Sequence, residues 1–176
     1  VFDSNQTNFR RPAISGNAIG NNYYDRRNIA TDQFRGNWIA TLTPLEGLNF
    51  AANFTVFNYS ANANNLYSRF SSSGSSVDGM TYVSNGRTFS TNQIYTGNYD
   101  KTFGKHAVNL LAGYEHSTKK VSGLSGQKDH LFDPFVSELD NALAHANENA
   151  SSHSDKVVRD GYFFRGDYNY DERYYG

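Results

Sequence analysis

The sequence predicts an all-β chain, a segment of an antiparallel transmembrane β-barrel about five to six strands wide, with long loops at one end. Polar and apolar residues alternate with a period of two over runs about twice as long as the five or six residues usual in a soluble strand. A tilted strand needs roughly 9–11 residues to cross a bilayer. Short turns and long polar loops also alternate along the chain, as they do in bacterial barrels.

The composition agrees with a barrel. The 176 residues carry a formal net charge of −1, which disfavours a nucleic-acid partner, because such a partner needs a clustered basic surface. Hydrophobic residues make up 38% and aromatic residues 15% of the chain, a combination that suits an aromatic girdle around a polar lumen. A secreted sugar-binding β-domain has a similar composition. The chain has no cysteine, which excludes disulfides and thiolate metal sites.

The first predicted hairpin occupies residues 34–60 and follows a loop over residues 1–33. Its strands, Arg35–Thr43 and Leu48–Tyr59, are joined by the turn Pro44–Gly47, where glycine suits a position with positive φ. One face of the second strand carries Leu48, Phe50, Ala52, Phe54 and Val56. The opposite face carries Asn49, Ala51, Asn53 and Thr55. Asparagine at the centre of a strand suits a wet lumen better than a packed core.

The second predicted hairpin occupies residues 88–118 and turns at Phe103-Gly104-Lys105. Its apolar face carries Tyr95, Gly97, Tyr99, Val108, Leu110, Ala112 and Tyr114. Before it, residues 61–87 are rich in Ser, Asn and Gly and predict an extracellular loop, with a small hairpin turning at Asn85-Gly86-Arg87.

Residues 119–160 predict a second extracellular loop with one helix. Asp133 is suited to cap this helix and Pro134 to occupy its first position. Helical spacing relates Val136, Leu139, Leu143 and Ala146. Residues 161–176 predict a strand and the turn Asp171-Glu172-Arg173. Both ends read as cut, and fewer than about eight strands cannot close a barrel, so we expect an internal fragment.

Two stretches carry a resemblance to a known family. The first runs YDKTFGKH over Tyr99–His106 and LLAGYE over Leu110–Glu115. The second runs YFFRGDYNYDERY over Tyr162–Tyr174. In combination, over roughly residues 34–118 and 158–176, the chain resembles the barrel of the SusC/RagA-like TonB-dependent transporters of the Bacteroidetes outer membrane.

The resemblance implies a 22-stranded barrel filled by an N-terminal plug and paired with a SusD-like surface lipoprotein. It implies active import of glycans or oligopeptides driven through TonB across a Gram-negative outer membrane. The expected partners are the remaining strands and plug, the lipoprotein, TonB, the substrate and the lipid bilayer. Two alternatives stay open: a secreted β-sandwich carbohydrate-binding domain and a passive porin.

Candidate site residues fall into two groups. Alternation points Glu115, Arg165 and Asp167 into the lumen, as a structural polar network or as contacts to plug or substrate. Tyr67, Phe70 and Tyr82 in the first long loop are suited to stack on sugar rings or to contact the lipoprotein.

No catalytic residue, metal site or cofactor is expected, and the chain does not read as an enzyme. The five histidines show no metal-binding spacing, and no nucleophile accompanies the acidic residues. These histidines are His106, His116, His130, His145 and His153.

Overall fold

The computed structural model describes residues 17–143 and 148–176, apart from the Tyr175 side chain. This part of the chain is all-β, and its six strands form one antiparallel sheet in chain order, β1 to β6. The strands are β1 (Arg26–Leu45), β2 (Leu48–Tyr67), β3 (Met80–Phe103), β4 (His106–Asp129), β5 (Asn149–Tyr170) and β6 (Tyr174–Tyr175). The sheet is open, with β1 and β6 at its two edges.

The three predicted short turns are confirmed. Gly47 has φ +83° between β1 and β2, and Gly104 has φ +63° between β3 and β4. Asp171 and Glu172 reverse the chain before β6 with φ 54° and 56°. Positive φ costs little at glycine, and Asp is among the residues that tolerate it best.

The strands extend beyond the predicted boundaries, so both long loops are shorter than residues 61–87 and 119–160 suggested. The first runs between Tyr67 and Met80, and the second between Asp129 and Asn149. Asn85 and Gly86, predicted to turn, lie inside β3, where Asn85 Nδ2 donates to a side-chain oxygen on β2. Where both faces of a strand end meet water, polar and apolar residues do not alternate. Sequence periodicity therefore underestimated the length of these strands.

The region predicted as the first loop, residues 1–33, contains a helix and the start of β1. Residues 1–16 lie outside the described residues. Helix α1 (Ala18–Tyr24) is capped by Asn17, whose Oδ1 accepts the N–H groups of Ile19 and Gly20 at 3.0 and 3.2 Å.

The prediction of a helix after Asp133 is wrong within the described residues. Ala146, the last of the four residues at helical spacing, lies outside the described residues. Only a single 3₁₀ turn forms there, at Leu139–Asn141. The side chain of Asn141 donates to the carbonyls of Asp133 and Val136 at 2.7 and 2.9 Å, which occupies acceptors that a helix would need. The N–H of Leu143 donates back to the carbonyl of His130 at 3.1 Å. Side-chain competition for backbone groups therefore overrides the helical spacing.

The described residues fall into two compact units. The loop unit comprises the residues up to Asp32 together with Ser60–Arg87 and Ser122–Ser154. The turn unit comprises Gln33–Tyr59, Thr88–Val121 and Asp155–Gly176. All buried hydrophobic residues of the described chain lie in the loop unit, and they are Leu66, Leu131 and Ala142. The turn unit is a single layer and has no comparable core among its described residues. No helix described here has the length and apolar character needed to cross a membrane.

Candidate functional site

The apolar face of the turn unit is exposed. Aromatic side chains pack along it from strand to strand, with Trp38 stacked on Phe54 at 5.7 Å between ring centroids and Tyr114 lying 4.9 Å from Tyr162. Tyr162 is 84% exposed and Phe164 is 78% exposed. The five long strands have 20 to 24 residues each, whereas a soluble β-sandwich is built from short strands, so the strand lengths disfavour the sandwich alternative.

Aromatic residues mark two levels on this face. Near the turns, His106 packs 4.9 Å from Tyr170 and its Nδ1 lies 2.6 Å from the Tyr168 hydroxyl. Further along β4, Tyr114 stacks with Tyr95 of β3 at 6.4 Å between ring centroids. Eight residues separate the two levels on β4 (114 minus 106), which is about 27 Å along the strand and about 19–22 Å in height at a barrel tilt of 35–45°. This height is close to the apolar band of a membrane barrel, about 25 Å.

The opposite face of the turn unit is polar, and its side chains bond across strands. Thr55 donates to Asn37 at 2.9 Å, and Asn109 donates to Asp100 at 2.8 Å. These contacts place the odd-numbered residues of β1, β2 and β4 opposite the apolar face, as the alternation predicted. Asn53 lies in the same row, and its shielded Oδ1 accepts no hydrogen bond from the described residues.

Two of the three predicted lumen residues come together. Arg165 Nε and Asp167 Oδ2 form an ion pair at 2.8 Å, with the two side chains 71% and 48% exposed. Residues i and i+2 of a strand share a face, which brings this pair into reach. Glu115 forms no ion pair or hydrogen bond within the part of the chain that the structure describes. The three residues therefore do not form one network.

One aromatic side chain, that of Phe163, lies on the polar face, where alternation along the strand also predicts it, on the same side as Arg165 and Asp167. The ring of Phe163 approaches Gly113 of the neighbouring strand so closely that a Cβ on Gly113 would come 2.1 Å from the ring. Glycine inside a strand often marks such a close approach. The glycine at position 113, between Ala112 and Tyr114, was the sequence feature that could have predicted this close contact.

In the loop unit, Arg69 joins the two long loops. Its Nη1 lies 3.2 Å from Asp78 Oδ1, and its Nη2 donates to the carbonyls of Leu131 and Phe132. The backbone continues the contact, since the N–H of Leu131 donates to the carbonyl of Asp78 at 3.1 Å. Leu66 and Leu131 of the same unit are fully buried, so this unit has a small core of its own.

The predicted loop aromatics are not assembled into one platform. Phe70 is half-exposed and packs between Tyr24 and Phe135, with ring centroids 5.5 and 6.3 Å away. Tyr67 ends β2 and holds the guanidinium of Arg27 over its ring at 5.3 Å. Tyr82 lies within β3 and shares no ring contact with either of them among the described residues.

The titratable residues do not form a metal centre in the described residues, where no group of three or more His, Cys, Asp or Glu is placed to hold an ion. His145 lies outside the described residues.

The geometry defines the class of structure: an open antiparallel sheet with an exposed apolar face banded by aromatic rows and a hydrogen-bonded polar face. No family model and no curated protein matches the sequence. Solved structures do match. They include the RagAB peptide importer in the closed-closed state (TM-score 0.77) and the open-open state (0.74), and the RagAB peptide transporter (0.72).

Each of these matches has 16% sequence identity and covers 87% of this chain. The chain spans only 17% of the length of the solved chains that it matches. At this identity the likeness shows the fold alone, which is the SusC/RagA-like fold of the resemblance found in the sequence.

Proposed function

We propose that this chain is part of the barrel wall of a TonB-dependent outer-membrane transporter that imports oligopeptides. The observation that carries the proposal is the division of the turn unit into two faces. One face exposes aromatic and aliphatic side chains in a band about as tall as a hydrocarbon core, and the other offers hydrogen-bonded Asn, Thr and Asp side chains.

The edges of the sheet support the same proposal. Unpaired backbone groups at an edge are not tolerated in lipid, so β1 and β6 need further strands beside them. Further strands would complete the barrel. A plug would fill the lumen of the 22-stranded barrel that the resemblance implies. The short turns then face the periplasm, and the ordered loops joined by Arg69 face the exterior, where a SusD-like lipoprotein would cover them.

Peptide as the substrate class rests on the names of the solved neighbours, which are peptide importers and transporters. Glycans are the alternative substrate class of the resemblance. The chemistry proposed is binding and translocation, with no covalent step.

The test is uptake by cells that carry the gene encoding this chain, compared with cells from which it is deleted. Labelled oligopeptides should enter only the first strain, and collapse of the proton-motive force should stop the uptake. Uptake that persists without the proton-motive force would replace the transporter with a passive porin. Release of the protein from membranes without detergent would remove the barrel proposal altogether.

A further inference from the structure

A cavity of about 410 Å³ opens on the polar face of the turn unit, between β2, β3, β4 and β5. It is distinct from the Arg165–Asp167 pair, which does not line it. Its polar lining consists mainly of Thr55, Ser90, Asn92, Ser117, Lys119 and Arg159. The cavity therefore combines two cationic groups with hydroxyl groups and one amide.

Neither cation of the cavity has an acidic partner among the residues that the structure describes. Neither Lys119 nor Arg159 forms an ion pair or hydrogen bond within the described residues, although the same strands place Glu115 and Asp155 on this face. Arg35 lies on the same face of β1, outside the residues that line the cavity. Its guanidinium lies 5.2 Å from the Phe57 ring, and Phe57 is two residues beyond the lining residue Thr55.

The cavity also holds an acceptor without a donor. Asn92 Oδ1 is shielded from water and accepts no hydrogen bond from the described residues. A buried acceptor left in this state costs free energy, so a ligand that donates an N–H or O–H group there gains affinity. Cations and a lone acceptor together suit a ligand with both a carboxylate and a hydrogen-bond donor.

We propose that this cavity binds a carboxylate group of the transported substrate, with Lys119 and Arg159 holding the carboxylate and Asn92 accepting a hydrogen bond from the adjacent donor. The inference rests on the proposed function, since it gives that transporter a preference for acidic substrates. Arg159 presents its N–H groups in a planar fork that matches a carboxylate, whereas Lys119 contributes a point charge.

The experiment is equilibrium binding to the purified full-length protein in detergent, which needs no uptake. The probes are a Glu-rich octapeptide and its Gln-rich counterpart, both with amidated C-termini. A galacturonate oligomer and its methyl ester form a second pair that distinguishes a glycan source of the carboxylate. The wild-type protein should favour the acidic member of one pair.

The variants Lys119→Gln and Arg159→Gln should each weaken binding of the acidic probe roughly 5- to 30-fold and leave the neutral probe unchanged, as expected for loss of a charge-assisted contact. Lys120→Gln is the matched control, because Lys120 is next to Lys119 in the sequence but its side chain lies on the opposite face of β4. Asn92→Asp, which keeps the side-chain shape and adds a negative charge, should also weaken the acidic probe.

Equal binding of acidic and neutral probes by the wild type, or no binding of any probe, overturns the carboxylate site. So does an equal loss in the Lys120→Gln control. A loss of outer-membrane abundance in Lys119→Gln with acidic binding retained would assign these cations to contacts within the protein and would also overturn it. The uptake experiment judges the transporter separately, so the two proposals fail on different measurements.

Discussion

Replacing Leu110 with arginine tests whether the apolar face meets lipid. Leu110 lies four residues from His106 and four from Tyr114, so it is midway between the two aromatic levels. This spacing places it about 13 Å along the strand, or about 10 Å in depth, from each level, which is close to the middle of the band. Arginine at the midplane of a barrel costs about 2–4 kcal/mol of the free energy of unfolding, or roughly 30- to 700-fold in the ratio of folded to unfolded protein.

The matched control is Leu111→Arg, one residue further along the same strand and at the same depth but on the polar face. We expect this variant to change the free energy of unfolding by less than about 1 kcal/mol, because an arginine there stays hydrated. The assay is denaturant unfolding of the full-length protein in lipid vesicles, followed by the gel mobility that separates folded from unfolded barrels. Equal costs for the two variants would contradict the assignment of the two faces.

Three further predictions concern glycines and the loop contact. Gly47→Ala should destabilise the protein by about 1–3 kcal/mol, because Gly47 has φ +83° and a Cβ there would lie 2.1 Å from a backbone carbonyl oxygen. Gly104→Ala should cost less, because nothing lies within 4 Å of a Cβ at that position. Denaturant titration would rank the two variants, and the reverse order would contradict the packing. Gly113→Ala should displace the ring of Phe163, and Phe163→Ala should then recover part of the lost stability in a double-mutant cycle; additive effects would show that the two residues do not touch. Arg69→Ala removes the donor to two loop carbonyls and should speed limited proteolysis of the second long loop, and an unchanged cleavage rate would show that the loops are held by other contacts.

Alternation allowed much of the sheet to be predicted from the sequence. Its two faces were assigned correctly where one face is apolar, as at Phe54 and Leu110, because a one-residue shift would exchange the faces. The turns at Gly47 and Gly104 were predicted because glycine is suited to positive φ. The start of β5 near Asn149 was missed, because a polar run such as Ser151–Lys156 carries no period.

The site was harder to predict for a different reason. Arg165 and Asp167 are neighbours on one face of one strand, so spacing alone brings them together. Lys119 and Arg159 are 40 residues apart (159 minus 119) and line one cavity only because of the register of β4 against β5. Register is set by packing on both strands and is not readable from either one, so this pairing required coordinates.

Glu115 and Asp155 also lie on the polar face, but its two unpaired cations and the two carboxylates that line a cavity occupy different points along the strands. The unpaired cations Lys119 and Arg159 lie on the loop side, whereas the carboxylates of Asp100 and Asp167 lie on the turn side, lining a second cavity of about 440 Å³. Asp167 is paired with Arg165, Asp100 accepts a hydrogen bond from an asparagine, and no lysine or arginine is among the described residues that line this second cavity. On the proposed function, an anionic substrate arriving from the loops would meet its strongest attraction first. A wall that captures at its entrance and holds less tightly further in favours onward release, which an importer requires.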